Sequence, residues 1–303
     1  MARSILEPLA ASVRQVLAGS DDGGSTAVTG IEDPPGAPGW FTPGDAVWTV
    51  HGSVATFLGG IRSLLLQSLH PLALAGVEQH SNYRDDPFGR LQRTGAFIAV
   101  TTYGPEKLAD RTVARVRGMH RRVSGVTQDG RAYTAQDPRL LEWVHVALVD
   151  SMLTAYLEYG HDGRIDPDEY VRNMAVVGAA TGVTNPPCTV TQLRRSINGF
   201  RSELSGGPDV QQMKSFVMAA PLPVALRPGY GLLARAALDT LPDWAVIMLG
   251  ERPVPGPVRR ARAVVADSAL RTLSFALVRS PAQIAGERRL QAAAPASPVT
   301  VSP

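Results

Sequence analysis

The sequence predicts an all-α fold carrying one small β-hairpin. Three observations carry that reading. Apolar residues recur at spacings of three and four along most of the chain. Asp-Pro and Pro-Glu pairs open these stretches and glycines close them, as helix caps do. Asp129-Gly130, set between short alternating runs in VTQDGRAYT (126–134), is the one good hairpin signal. Strands interleaved with helices, which a Rossmann or TIM fold requires, are missing.

Residues 3–18 read as an amphipathic helix through Ile5, Leu6, Leu9, Val13, Val16 and Leu17. Residues 19–44, rich in Gly, Pro and Asp, read as a long loop. A helical region follows from Asp45 to near Asn82, cut into two or three pieces by Gly59-Gly60 and Pro71. Asp86 caps, and Pro87 begins, a helix that runs to Tyr103 and stops at Gly104. Pro105-Glu106 open the next, which ends near Val123 before the hairpin. Asp137-Pro138 start a long helix to Tyr159, and Asp166-Pro167 another to Ala180. Further helices are expected at 189–204, 208–220, 228–249 and 256–278. The chain then divides into an N-terminal helix and loop (1–44), a helical domain (45–284) and a disordered tail (285–303).

Composition narrows the function. Of 303 residues, 44% are apolar and 19% charged, a globular balance. Thirty Lys and Arg against 27 Asp and Glu leave +3, too little to argue for a nucleic-acid partner. Only Lys107 and Lys214 are lysines, so the cations are almost all arginines, and any inside an apolar helix need partners. The single Cys188 excludes an internal disulfide and a multi-cysteine metal site. Arg3, Glu7 and Arg14 interrupt the first apolar stretch, against a secretory leader. No run of about 18 uncharged apolar residues marks a membrane span, so a soluble, cytoplasmic protein is expected. A P-loop, a G-x-G-x-x-G turn, a G-x-S-x-G elbow and H-E-x-x-H are all absent. HDGRIDPDEY (161–170) fails as a calcium loop, because Arg164 takes a ligand position.

Three histidines and one helix start remain. His120 continues the face Val113, Val116, Val123; His145 continues Leu141, Leu148, Met152; His70 follows the apolar run IRSLLLQSL. Each reads either as a hydrogen-bonded core histidine or as a metal ligand in a dry pocket. In DPFGRLQRT (86–94), Arg90, Arg93 and Thr94 stand at i, i+3 and i+4 and share a helix face. Leu91, Phe97, Ile98 and Val100 form the neighbouring face and are expected in the core. The two cations and the hydroxyl read either as a surface strip paired with Asp85, Asp86 or Glu78, or as donors lining an anion, a propionate or bound dioxygen.

These residues, in order, resemble a known family. LLLQSLHPLALAGVEQHSNYRDDPFGRLQRTGAFIAVTTYG (64–104), VRGMHRRVSG (116–125), the hairpin and DPRLLEWVHVALVDSMLTAY (137–156) are similar to the MpaB-type oxygenases, which include the haem-dependent latex-clearing proteins. The resemblance covers about residues 40–250. It implies a globin-related multi-helix bundle and a haem b oxygenase that uses dioxygen on an apolar or aromatic organic substrate. It implies His120 as the proximal iron ligand and Arg90 and Thr94 on the distal side. Arg93 stands where those members carry a lysine able to cap the iron. An arginine does not deprotonate, so an open distal site with Arg93 as donor is expected here. His145 and His70 are placed near the cofactor, and Glu78 is the nearest distal acid. The alternative is a non-catalytic helical protein that binds haem or a lipid-like ligand; a peroxidase-like activity is a third.

Overall fold

The computed structural model describes residues 11–12, 30–277 and 279–292. The expected helix over 3–18, all but residues 30–44 of the loop, and the last eleven residues of the tail lie outside this range, except for residues 11–12. Among the described residues thirteen α-helices follow one another: α1 (Ala46–Gly52), α2 (Ala55–Gln67), α3 (Pro71–His80), α4 (Pro87–Tyr103), α5 (Glu106–His120), α6 (Pro138–Tyr159), α7 (Pro167–Thr181), α8 (Val190–Gly199), α9 (Pro208–Met218), α10 (Arg227–Asp239), α11 (Asp243–Met248), α12 (Gly256–Leu277) and α13 (Pro281–Gln291). A 3-10 turn covers Val224–Leu226. The only sheet among those residues is the hairpin of β1 (Ser124–Val126) and β2 (Ala132–Thr134), antiparallel with Gly125 opposite Tyr133.

The Asp-Pro signals act as expected. Asp86 accepts from the Gly89 N–H at 2.9 Å, Asp137 from Arg139 at 2.8 Å and Asp166 from Asp168 at 2.9 Å. Each carboxylate satisfies an orphan amide of its first turn, and the proline behind it has no amide to satisfy.

The bundle is built on the pairing of α2 with α6. Leu58, Ile61, Leu65 and Leu66 meet Trp143, Val146, Val149, Met152 and Leu153 in one core. Gly59-Gly60 does not break α2. At Gly59 the two backbones approach closely, since a Cβ there would stand 3.1 Å from Met152 Cα and 3.2 Å from Ser151 O. Helix α6 is long and apolar enough to cross a membrane, but 61% of its apolar window is buried inside the bundle, as suits a central core helix. Arg62, 3% exposed in α2, meets the partner requirement through Asp150 Oδ2 at 2.7 Å and Ser151 Oγ at 2.8 Å.

Two boundaries differ from expectation. The region 228–249 breaks at Leu241-Pro242 into α10 and α11, because proline disfavours a helical residue before it. Helix α13 extends across the expected domain edge at 284 and occupies seven residues of the expected tail. Its Arg289 is 1% exposed and donates to the carbonyls of Ile31, Ala37 and Tyr103. The stretch is too short and polar to show an apolar period, so its tie to the body could not be read from periodicity.

Candidate functional site

Helices α4 and α5 are consecutive, joined through Gly104-Pro105, and pack against each other. Their antiparallel course brings the start of α4 beside the end of α5. Arg90, Arg93 and Thr94 sit on the first and His120 on the second.

The three distal-side candidates have different surroundings. Arg93 is 63% exposed and reaches Asp86 Oδ2 at 3.3 Å, as the surface-strip reading has it. Such an exposed pair is worth little. Thr94 is exposed and donates to the Arg90 carbonyl of its own helix at 3.1 Å. Arg90 is half-buried and donates to Ser81 Oγ at 2.7 Å. No carboxylate among the described residues pairs with it, and burial, followed by the charge of Arg93, lowers its pKa. Glu78, the nearest acid foreseen, is taken by the Tyr83 hydroxyl at 2.5 Å and by both Arg84 contacts, at 2.9 and 3.0 Å. Leu91, expected in the core, is 42% exposed. No residue from 87 to 96 is buried, so the apolar face of α4 closes only from Phe97 and Ile98, half-buried, to Val100, buried.

His120 closes α5 on the face of buried Ala109 and Val113, and is half-buried. Its ring makes no hydrogen bond among the described residues. Burial lowers its pKa first, and the nearby Arg90 charge lowers it further. The imidazole is therefore neutral at pH 7, with a lone pair that no protein donor occupies.

The other two histidines stand differently. His145 is 7% exposed, and its Nε2 has no partner. Its ring lies on α7 at Gly178, where a Cβ would stand 2.7 Å from its Cε1. Desolvation pushes its pKa down to about 4. His70 is 3% exposed at the α2–α3 corner, with Trp143 and Phe200 rings centred 6.2 Å away and Glu203 Oε2 at 3.6 Å. That distance is too long for a hydrogen bond, so the pair is electrostatic. Burial lowers the His70 pKa against the opposing pull of Glu203. The structure thus brings Arg90 near enough to His120 for its charge to act on the ring, and walls His70 with residues of α6 and the segment after α8.

One polar cluster escaped the sequence. His51 in α1 meets Thr102 Oγ1 of α4 through Nδ1 at 2.8 Å and the Tyr170 hydroxyl of α7 through Nε2 at 3.1 Å. Desolvation holds its pKa near 4, so it bridges three helices as a neutral ring. The only signal was three polar residues on apolar helix faces, more than fifty residues apart.

Among the described residues, no group of three or more His, Cys, Asp or Glu side chains is placed to hold a bare metal ion. No curated protein and no solved structure matches the chain. A family model does, over residues 48–274, from within α1 to near the end of α12: the catalytic domain of the ER-bound oxygenase mpaB/B' and rubber oxygenase. That match covers the α4–α5 pair, both hairpin strands and the whole α2–α6 core, and the chain belongs to this oxygenase family.

Proposed function

We propose that the protein is a haem b oxygenase that uses dioxygen to oxidise or cleave an apolar or aromatic organic substrate. The carrying observation is the pair formed by His120 and Arg90. A porphyrin needs one neutral nitrogen donor from a rigid element, and an unpaired cation suits its carboxylate groups or a developing negative charge. His120 is neutral, unpartnered and on the buried face of a helix. Arg90 is desolvated with no carboxylate to neutralise it. The residues present therefore fit a haem, which supplies the redox chemistry when bound.

In this reading His120 holds the cofactor and Arg90 orients anionic or electron-rich groups beside it. Thr94 and Arg93 serve as further donors after giving up bonds that cost little to break, an in-helix hydroxyl contact and an exposed ion pair. Those same bonds favour the second reading, a haem or lipid-like carrier without turnover. A pyridine haemochromogen assay on protein expressed with added haem precursor is expected to give one haem b per chain. His120→Ala loses it and His145→Ala retains more. Protein that stays colourless on haem titration overturns the proposal, and haem lost only with His145→Ala overturns the ligand assignment. Dioxygen consumption with candidate substrates separates oxygenase from carrier.

A further inference from the structure

The small net charge of the chain conceals a local excess. Between Glu106 and Arg122 stand six cations, Lys107, Arg111, Arg115, Arg117, Arg121 and Arg122, against two carboxylates. This segment alone carries +4 where the whole chain carries +3. All six are exposed, and none makes an ion pair or side-chain hydrogen bond among the described residues. Elsewhere the arginines are mostly engaged, as Arg62, Arg84, Arg139 and Arg262 are. At 3.6 residues per turn the four within α5, Lys107, Arg111, Arg115 and Arg117, fall with Asp110 in one outward arc of about 160°, facing away from the buried stripe of Ala109, Val113 and His120, and Arg121 and Arg122 follow in the turn after the helix ends.

Three large apolar side chains flank the C-terminal end of this face. Leu91 is 42% exposed, Met119 53% and Val126 56%. Singly, exposed apolar residues are ordinary. Here Met119 lies in the last turn of α5 beside His120, Val126 in the strand that follows, and Leu91 next to Arg90 on the neighbouring α4.

We propose that the outward face of α5, with Leu91, Met119 and Val126 at its tip, docks on a bilayer containing anionic phospholipid. Guanidinium groups pair bidentately with phosphate, and a cluster of them is drawn to an anionic membrane surface. The apolar tips enter the boundary between headgroups and chains. No Trp, Tyr or Phe lies between residues 106 and 126, so the face lacks the aromatic platforms on which single-stranded nucleic acid stacks its bases. The inference rests on charge and exposure and does not use the haem assignment.

The test is co-sedimentation of the full chain with vesicles of phosphatidylcholine alone and of phosphatidylcholine with 30% phosphatidylglycerol. Binding to the second and not the first is expected, weakening steeply as salt is raised. The triple variant Arg115→Gln, Arg121→Gln, Arg122→Gln is expected to lose about 100-fold in vesicle affinity, at roughly fivefold per arginine. Because these side chains hold nothing in place, its melting temperature stays that of the wild type. Met119→Ser loses several-fold at unchanged salt dependence. Wild-type protein that ignores anionic vesicles overturns the proposal, as does a triple variant that binds them equally. Binding to an acidic protein or to RNA without binding to vesicles overturns it in favour of that partner. Should the triple variant fail to fold, the salt series on the wild type decides alone.

Discussion

Replacing Arg289 by leucine tests whether the C-terminal helix is part of the folded body. Its Nη1 donates to Ile31 O at 2.8 Å and Tyr103 O at 2.6 Å, and its Nε to Ala37 O at 3.0 Å. The Gly36 amide returns a bond to the Arg289 carbonyl at 2.7 Å, so loop and helix are cross-tied. Three charge-assisted bonds are worth ~1.5–3 kcal/mol each, which caps the loss near 9 kcal/mol. Two facts reduce it. The guanidinium has no carboxylate, so its desolvation already offsets much of that gain, and burial lowers its pKa accordingly. The side chain is 1% exposed and its buried Nη2 makes no hydrogen bond, so part of the guanidinium is already unsatisfied in the folded state. We expect a net loss of about 3 kcal/mol. Urea unfolding followed by circular dichroism reads this as a lower midpoint at unchanged slope. Arg289→Lys recovers only part, since one ammonium lacks the planar fork that serves three carbonyls. A loss below about 1 kcal/mol for Arg289→Leu would show that desolvation cancels the bonds, and the tie would then be α13 packing alone.

Three further outcomes follow from the site. Arg90→Leu is expected to cut turnover by ~10²-fold while haem content falls less, and ferric wild type is expected to be high-spin because Arg93 offers no neutral amine; a low-spin spectrum with two nitrogen ligands would mean another residue caps the iron. Gly178→Ala drives a methyl into the His145 ring and is expected to cost ~1–3 kcal/mol, most of it regained in the double variant with His145→Ala; additive losses in that cycle would deny the contact. His51 and His145 protonate only near pH 4 when folded but near 6.5 when unfolded, so stability is full above pH 6.5 and falls as pH drops toward about 4. Unfolding midpoints that are flat from pH 7 to 5 would contradict that environment, and His145→Gln is expected to flatten part of the fall.

How much was legible depended on how local the cause is. An Asp-Pro start acts within three residues, so Asp86, Asp137 and Asp166 announce their helices. The hairpin is as local, fixed by Asp129-Gly130. Leu91 misled because period tells which face a residue shares, not whether anything covers that face. The same limit separates the arginines of α4: spacing places Arg90 and Arg93 together, yet one is half-buried on Ser81 and the other is 63% exposed on Asp86. The His51 bridge and the Arg289 tie are made across 119 and 258 residues, and no window of sequence spans them.

The charge reading shows the same principle from the other side. A net +3, averaged over 303 residues, is too small to argue for a nucleic-acid partner. Averaging removes what matters at a surface, because screening confines each charge to about 10 Å. On α5 and the turn after it, six cations stand against Glu106 and Asp110, whatever the far side of the bundle carries. The helix period alone, applied to charge as it was to apolar residues, separates this basic face from the His120 stripe. One fifteen-residue helix and the turn after it therefore hold both features: the inner face offers the neutral imidazole, and the outer face with Arg121 and Arg122 the unpaired cations. A substitution on either face leaves the other in place. The two proposals are for that reason expected to separate in experiment, with His120→Ala affecting haem retention and the arginine substitutions vesicle binding.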